Sequence, residues 1–84
     1  MAEGRIVAAG AMADRGDLDG AIRLLEAGMK PAKRLKPHHI RMLYVLADIV
    51  ERAGDIPRAR QLFRRVADAD RDFVDVQSRI RALR

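Results

Sequence analysis

Glu51-Arg52-Ala53-Gly54-Asp55-Ile56-Pro57-Arg58-Ala59-Arg60-Gln61-Leu62-Phe63 decides the reading of this chain, because Asp14-Arg15-Gly16-Asp17-Leu18-Asp19-Gly20-Ala21-Ile22-Arg23-Leu24-Leu25 repeats its pattern. Setting Gly16 on Gly54 places Asp17, Leu18, Ala21 and Leu25 on Asp55, Ile56, Ala59 and Phe63, a period of 38 residues. Each copy reads as helix, tight turn, helix. The glycine supplies the left-handed conformation that closes one helix, and the aspartate after it accepts the unpaired amide hydrogens that open the next. Pro57 falls in the first turn of the new helix, where a missing amide hydrogen costs nothing.

Outward from the turn, a helix over about 57–69 is amphipathic: Ala59, Leu62, Phe63 and Val66 follow the helical period, and Arg58, Arg60, Arg64 and Arg65 occupy the opposite face. On this reading Ala59 faces the core and tolerates no enlargement, whereas Arg60 faces water. The preceding helix, about 38–53, is apolar almost all round, with Ile40, Leu43, Leu46, Ala47, Ile49, Val50 and Ala53. Such a helix has to be wedged between others. Its polar residues Arg41, Asp48, Glu51 and Arg52 join Tyr44 in one stripe, the face left for solvent or a ligand. Upstream, helices over about 3–14 and 18–27 form a first hairpin. Gly28 and Pro31 then break the pattern, and downstream Phe73, Val76, Ile80 and Leu83 mark a fifth helix from about Asp72 to the end, which would cover the exposed side of the second hairpin.

Eighty-four residues make one domain at most, and the 49% hydrophobic, 35% charged composition is that of a folded domain. Thr, Asn and Cys are absent and Ser occurs once, so helix formers dominate and an all-α fold is expected. Without cysteine there is no disulfide framework and no thiolate metal site; stability rests on packing, and a reducing cytoplasm is the expected setting. The longest uncharged apolar run, Ile6 to Ala13, is too short to span a membrane and lacks the strongly basic start of a signal peptide.

The net charge of +5 is localised. Of the seventeen Lys and Arg, five (Lys30, Lys33, Arg34, Lys36 and Arg41) lie in the acid-free stretch between Ala27 and Ala47, and the other twelve balance the twelve Asp and Glu. The reading is of a neutral protein with one basic patch in a loop over about 28–37. Three readings of that patch stay open: a solvated loop, a contact for an acidic protein or membrane surface, or a nucleic-acid contact. The last would be electrostatic and sequence-blind, since Tyr44 is the one aromatic residue close by.

These spacings resemble the tetratricopeptide repeat, whose signature is a large residue, then Leu-Gly, then an aromatic, followed by Ala and Phe four residues apart. Leu43, Leu46, Ala47 and Val50 take the first-helix positions, Gly54-Asp55 the turn, and Ala59 and Phe63 the second helix. The first copy is more divergent, with Arg5, Ala8, Ala9 and Met12 in the first-helix places, and Arg71 stands where the family has a helix-breaking proline. The period exceeds the usual ~34 residues, as an insertion in the basic loop would produce. The resemblance implies a right-handed stack of antiparallel helix hairpins, an α-solenoid fragment of about five helices. Hairpin 1 would span about 3–29, hairpin 2 about 38–69 and a terminal capping helix about 72–84, with Ala47, Gly54, Asp55, Ala59 and Phe63 as its structural positions. It also implies a groove lined by first helices, with Arg41, Tyr44, Asp48 and Arg52 on the concave face. The family's carboxylate clamp, built on two Asn, is not expected in a chain without Asn.

Candidate chemistry is thin. Asp68-Ala69-Asp70-Arg71-Asp72 imitates the opening of a calcium loop, but Phe73 replaces the required Gly and Arg79 the closing Glu, so Asp70 and Asp72 read as caps of the last helix. His38 and His39 are adjacent, hence expected to point apart and not to chelate an ion. A nucleophile would have to be Ser78, with no histidine near it in sequence, and none of the six glycines sits in a phosphate-loop pattern. The expectation is a non-catalytic scaffold or adaptor module without cofactor or metal, binding a protein or peptide on its concave face. The alternative is a basic accessory domain that binds nucleic acid or another polyanion through 30–41. With two and a half repeat units, the chain is expected to self-associate through an end of the array or to pack against more of a longer chain.

Overall fold

The computed structural model describes residues 2–29 and 36–83 and contains, among them, five α-helices and no strand. These are α1 (Ala2–Asp14), α2 (Leu18–Ala27), α3 (Pro37–Arg52), α4 (Ile56–Ala69) and α5 (Val76–Ala82).

The two chain reversals have the same anatomy. Gly16 and Gly54 adopt φ of 87° and 93°, the left-handed region that a side chain disfavours. In both, the glycine amide reaches back three residues, Gly16 to the Ala13 carbonyl (2.9 Å) and Gly54 to that of Glu51 (3.0 Å). The following aspartate amide reaches back five, Asp17 to Met12 (2.9 Å) and Asp55 to Val50 (3.2 Å), which satisfies carbonyls that the finished helix leaves open. The same aspartates then cap the next helix: an Asp17 carboxylate oxygen accepts from the Gly20 amide at 2.9 Å and one of Asp55 from the Arg58 amide at 3.3 Å. Pro57 sits in the first turn of α4.

These turns fold α1 onto α2 and α3 onto α4, and α3 packs on α1, α2 and α4 together. Its wedged position accounts for its composition, since Met42, Leu43, Leu46, Ala47, Ile49 and Val50 all bury. Opposite them α4 contributes Ala59, Leu62, Phe63 and Val66, α2 contributes Ala21 and Leu25, and α1 the small residues Ala9 and Ala13. Each large side chain so buried contributes roughly 1.5–3 kcal/mol. Ala9, the counterpart of Ala47, is as fully buried as Ala47 is. Ala8, the counterpart of Leu46, is exposed beside Val7 because no hairpin precedes α1 among the described residues.

The C-terminal element differs from expectation. Asp70 and Asp72 do not cap α5: Asp70 terminates α4 and its carboxylate accepts from the Asp72 amide at 3.2 Å. The chain then passes through bonds from Phe73 to Asp70 and from Val76 to Phe73, both 3.0 Å, before α5 begins. The interruption sits at Val74, whose φ of 47° is a left-handed conformation unfavourable for a β-branched residue. The kink turns Phe73 inward against the core while Val76 becomes fully buried. The structure also corrects the reading of Arg60 as a solvent-facing residue. It is half-buried, and its Nε donates to the Leu83 carbonyl at 2.6 Å.

Ala59 has no exposed surface, whereas Gln61, two residues on, is exposed. Ala59→Leu should therefore cost about 1 to 3 kcal/mol through overpacking, with a melting temperature lower by roughly 4–8 °C per kcal/mol. Gln61→Leu should stay within about 0.5 kcal/mol of the parent. Thermal melts followed by circular dichroism decide the matter, and equal melting temperatures would contradict the burial of this face of α4.

Candidate functional site

The stripe on α3 is where chemistry-bearing side chains gather. Tyr44 is half-buried; its ring stands edge-on to Phe63 at 5.5 Å, with an interplanar angle of 72°, and lies 5.5 Å from Phe73. Its hydroxyl donates to the Asp75 carboxylate at the start of α5. One turn on, Asp48 and Glu51 converge on Arg79 of α5, whose Nη2 donates to Asp48 Oδ1 and Glu51 Oε1, both at 2.8 Å. Arg79 Nη1 also approaches the Tyr44 hydroxyl at 3.3 Å, and its guanidinium carbon lies 4.8 Å from the Phe63 ring centroid. Cation–aromatic attraction thus adds to charge-assisted hydrogen bonding in a corner only a quarter to a third exposed.

Arg52, lower on the stripe, pairs with Asp48 Oδ2 at 3.0 Å and approaches Asp14 of α1 at 4.0 Å, so it bridges the two hairpins. Arg41 is exposed at the N-terminal end of the stripe. The four residues expected on the concave face are therefore divided. Tyr44 and Asp48 are engaged by α5, and Arg41 and Arg52 are turned outward.

Asp75 and Arg79 were not among the expected site residues. The signal for Arg79 was its spacing, three residues after Val76 and four before Leu83, which puts it on the inward side of α5, facing the acidic residues of the α3 stripe. Burial opposes its charge, but the hydrogen bonds to Glu51 and Asp48 and their negative charges outweigh that effect and raise its pKa. The Tyr44 hydroxyl is also raised, first by burial and then by its hydrogen bond to Asp75 and that carboxylate's charge, with Arg79 opposing.

Of the basic segment, Lys30, Lys33 and Arg34 lie outside the described residues. Lys36 is exposed at the N-cap of α3, and its backbone amide donates to His39 Nδ1 at 3.2 Å. His38 and His39 do not point apart as expected; their rings lean on one another with centroids 4.1 Å apart. Among the described residues no cluster of three or more His, Cys, Asp or Glu is placed to hold a metal ion.

Paired antiparallel helices with a common turn, stacked so that the first helix of one pair packs on the pair before it, define an α-helical repeat protein. The family model of the tetratricopeptide repeat matches residues 12–84, and the chain belongs to that family. Its members generally mediate protein–protein interaction and are typically non-catalytic. No curated protein and no solved structure matches the chain. Among the described residues no helix is long and apolar enough to cross a membrane.

Tyr44 is the sole tyrosine, so its phenolate absorbance can be titrated without interference. The folded domain should show a midpoint above the ordinary value near 10 and the denatured chain a midpoint at about 10. Because the folded state holds this proton more tightly, its contribution to stability is present below about pH 10 and is lost as pH rises through the folded midpoint. Asp75→Asn should move the folded midpoint downward. An unshifted midpoint in the folded parent would contradict the Tyr44–Asp75 contact.

Proposed function

We propose that this domain is a non-catalytic scaffold or adaptor module of the cytoplasm that takes a protein or peptide partner on the α3 face carrying Arg41, Tyr44, Asp48 and Arg52. The observation that carries the proposal is the pair of exposed guanidinium groups, Arg41 and Arg52, on the same helix face as a carboxylate–aromatic corner that already receives Arg79 of α5. A surface with this chemistry receives side chains from helices laid against it, and Arg41 and Arg52 extend it with exposed donors. Family membership supports the same reading, as proteins of this class engage other proteins. Lys30, Lys33, Arg34 and Lys36 serve on this account as a solvated or steering segment and not as the docking surface. Binding of nucleic acid through 30–41 is the alternative.

The domain, immobilised and exposed to extract of its source cell with and without nuclease, separates these readings when two variants are run beside it. On the reading of 28–37 as a solvated loop, replacing Lys30, Lys33, Arg34 and Lys36 by Gln should leave the melting temperature nearly unchanged, because solvated charges contribute ~0–1 kcal/mol each. Arg41→Ala combined with Arg52→Ala is preferred to a change at Tyr44, whose ring supports Phe63 and Phe73. Capture of a protein partner should survive nuclease and the four-Gln change and be lost in the double-Ala variant. Loss with nuclease or with the four-Gln variant would move binding to the loop. Full capture by both variants would mean that neither surface is used.

A further inference from the structure

The charge balance read along the chain does not hold in space. Arg52, Arg58 and Arg79 each bind carboxylates, and so consume Asp14, Glu26, Asp48 and Glu51. Arg64, Arg65 and Arg71 make no ion pair among the described residues, and Arg81 reaches only the Ser78 hydroxyl at 3.3 Å. A second group of cationic side chains is left on α4 and α5.

This region has a shape. Arg64 and Ile80 line two adjoining depressions of about 430 and 520 Å³ that follow the junction of α4 and α5. Arg60 and Arg81 wall one, and Ala67 and Arg71 line the other together with Asp68, the one carboxylate present. Ala67 and Ile80 are half-buried and rest on the core, so the groove floor is apolar while its walls are predominantly cationic. Arg60 is held in place by its bond to the Leu83 carbonyl. α1 pairs with α2 and α3 with α4, whereas α5 packs on α4 and has no antiparallel successor among the described residues.

We propose that the α4–α5 groove docks an acidic amphipathic helix of a partner protein, its apolar ridge on Ala67 and Ile80 and its carboxylates facing Arg60, Arg64, Arg71 and Arg81. Helix-in-groove recognition needs an apolar floor and complementary flanks, and both are present. A nucleic acid would meet the arginines but leave the apolar floor without a counterpart, and the groove lining contains no aromatic ring on which bases could stack. The proposal concerns a face distinct from the α3 stripe and stands or falls separately from it.

The probe is a fluorescein-labelled synthetic helix of about 18 residues with leucines at helical spacing flanked by glutamates. Beside it are run a peptide with Lys for every Glu, a peptide of the same composition with leucines scrambled, and an oligothymidylate. Fluorescence anisotropy should show saturable binding of the Glu/Leu helix, with the other three at least about tenfold weaker. Arg64→Glu with Arg81→Glu, both exposed and expected to preserve the circular dichroism spectrum, should weaken that binding by about tenfold and favour the Lys peptide. Arg41→Ala with Arg52→Ala should leave it unchanged, so that failure here and failure of the α3 face are told apart. No binding, equal binding of the scrambled peptide or oligothymidylate, or an unchanged affinity in the charge-reversed variant would overturn the proposal. So would a concentration-dependent dimer that the Glu/Leu helix fails to disperse, since the groove would then belong to a second copy.

Discussion

The guanidinium of Arg79 is the joint at which α3, α4 and α5 meet. It donates hydrogen bonds to Asp48 and Glu51 on α3, lies over the ring of Phe63 on α4 and carries α5 with it. Seven residues are too few for a helix to persist on its own in water, so α5 depends on this contact and on the burial of Val76 and Leu83. The acidic corner of α3 depends on the contact in turn. Without Arg79, Asp48 and Glu51 would face each other one turn apart in a partly desolvated corner with Arg52 as the remaining counter-charge, and unpaired charges in such a place are costly.

The same contact distributes charge over the surface. Two carboxylates of α3 are drawn toward α5, while Asp68 is the one carboxylate lining the groove with Arg60, Arg64, Arg71 and Arg81. One face of the domain is thus a network of paired acids and bases, with exposed Arg41 and Arg52 at its margin, and another is a cationic groove with an apolar floor. Two surfaces of unlike chemistry thus stand on one small stack of helices.

The hairpins were legible in the sequence because their turn leaves little freedom. A reversal at φ near 90° selects Gly16 and Gly54, and a helix starting directly afterwards selects Asp17 and Asp55, so residue type and geometry agree at both copies. The wedged position of α3 was legible for a similar reason, since a helix apolar on nearly every side has to be enclosed. The start of α5 was not. Asp70 and Asp72 look like caps, and what overrides them is the inward packing of Phe73 and Val76, bought at the cost of a left-handed Val74. Nor was the engagement of the α3 stripe by Arg79 apparent, because a lone arginine in an apolar pattern is assigned to solvent by default. Charge counted along the chain likewise missed the α4–α5 groove, whose arginines are cancelled on paper by carboxylates that lie elsewhere in space.

Backbone amide hydrogen exchange, read residue by residue in the parent and in Arg79→Ala, tests the role of this joint most directly. The amides of α5 and of Leu83 just after it, among them Arg79 and Leu83, which donate to the Asp75 and Ile80 carbonyls at 3.0 and 3.2 Å, should be protected in the parent. They should exchange at close to unfolded rates in the variant, while the buried stretches of α3 and α4 keep most of their protection. Equal protection of α5 in both proteins would show that Arg79 does not hold the helix in place, and would contradict the account.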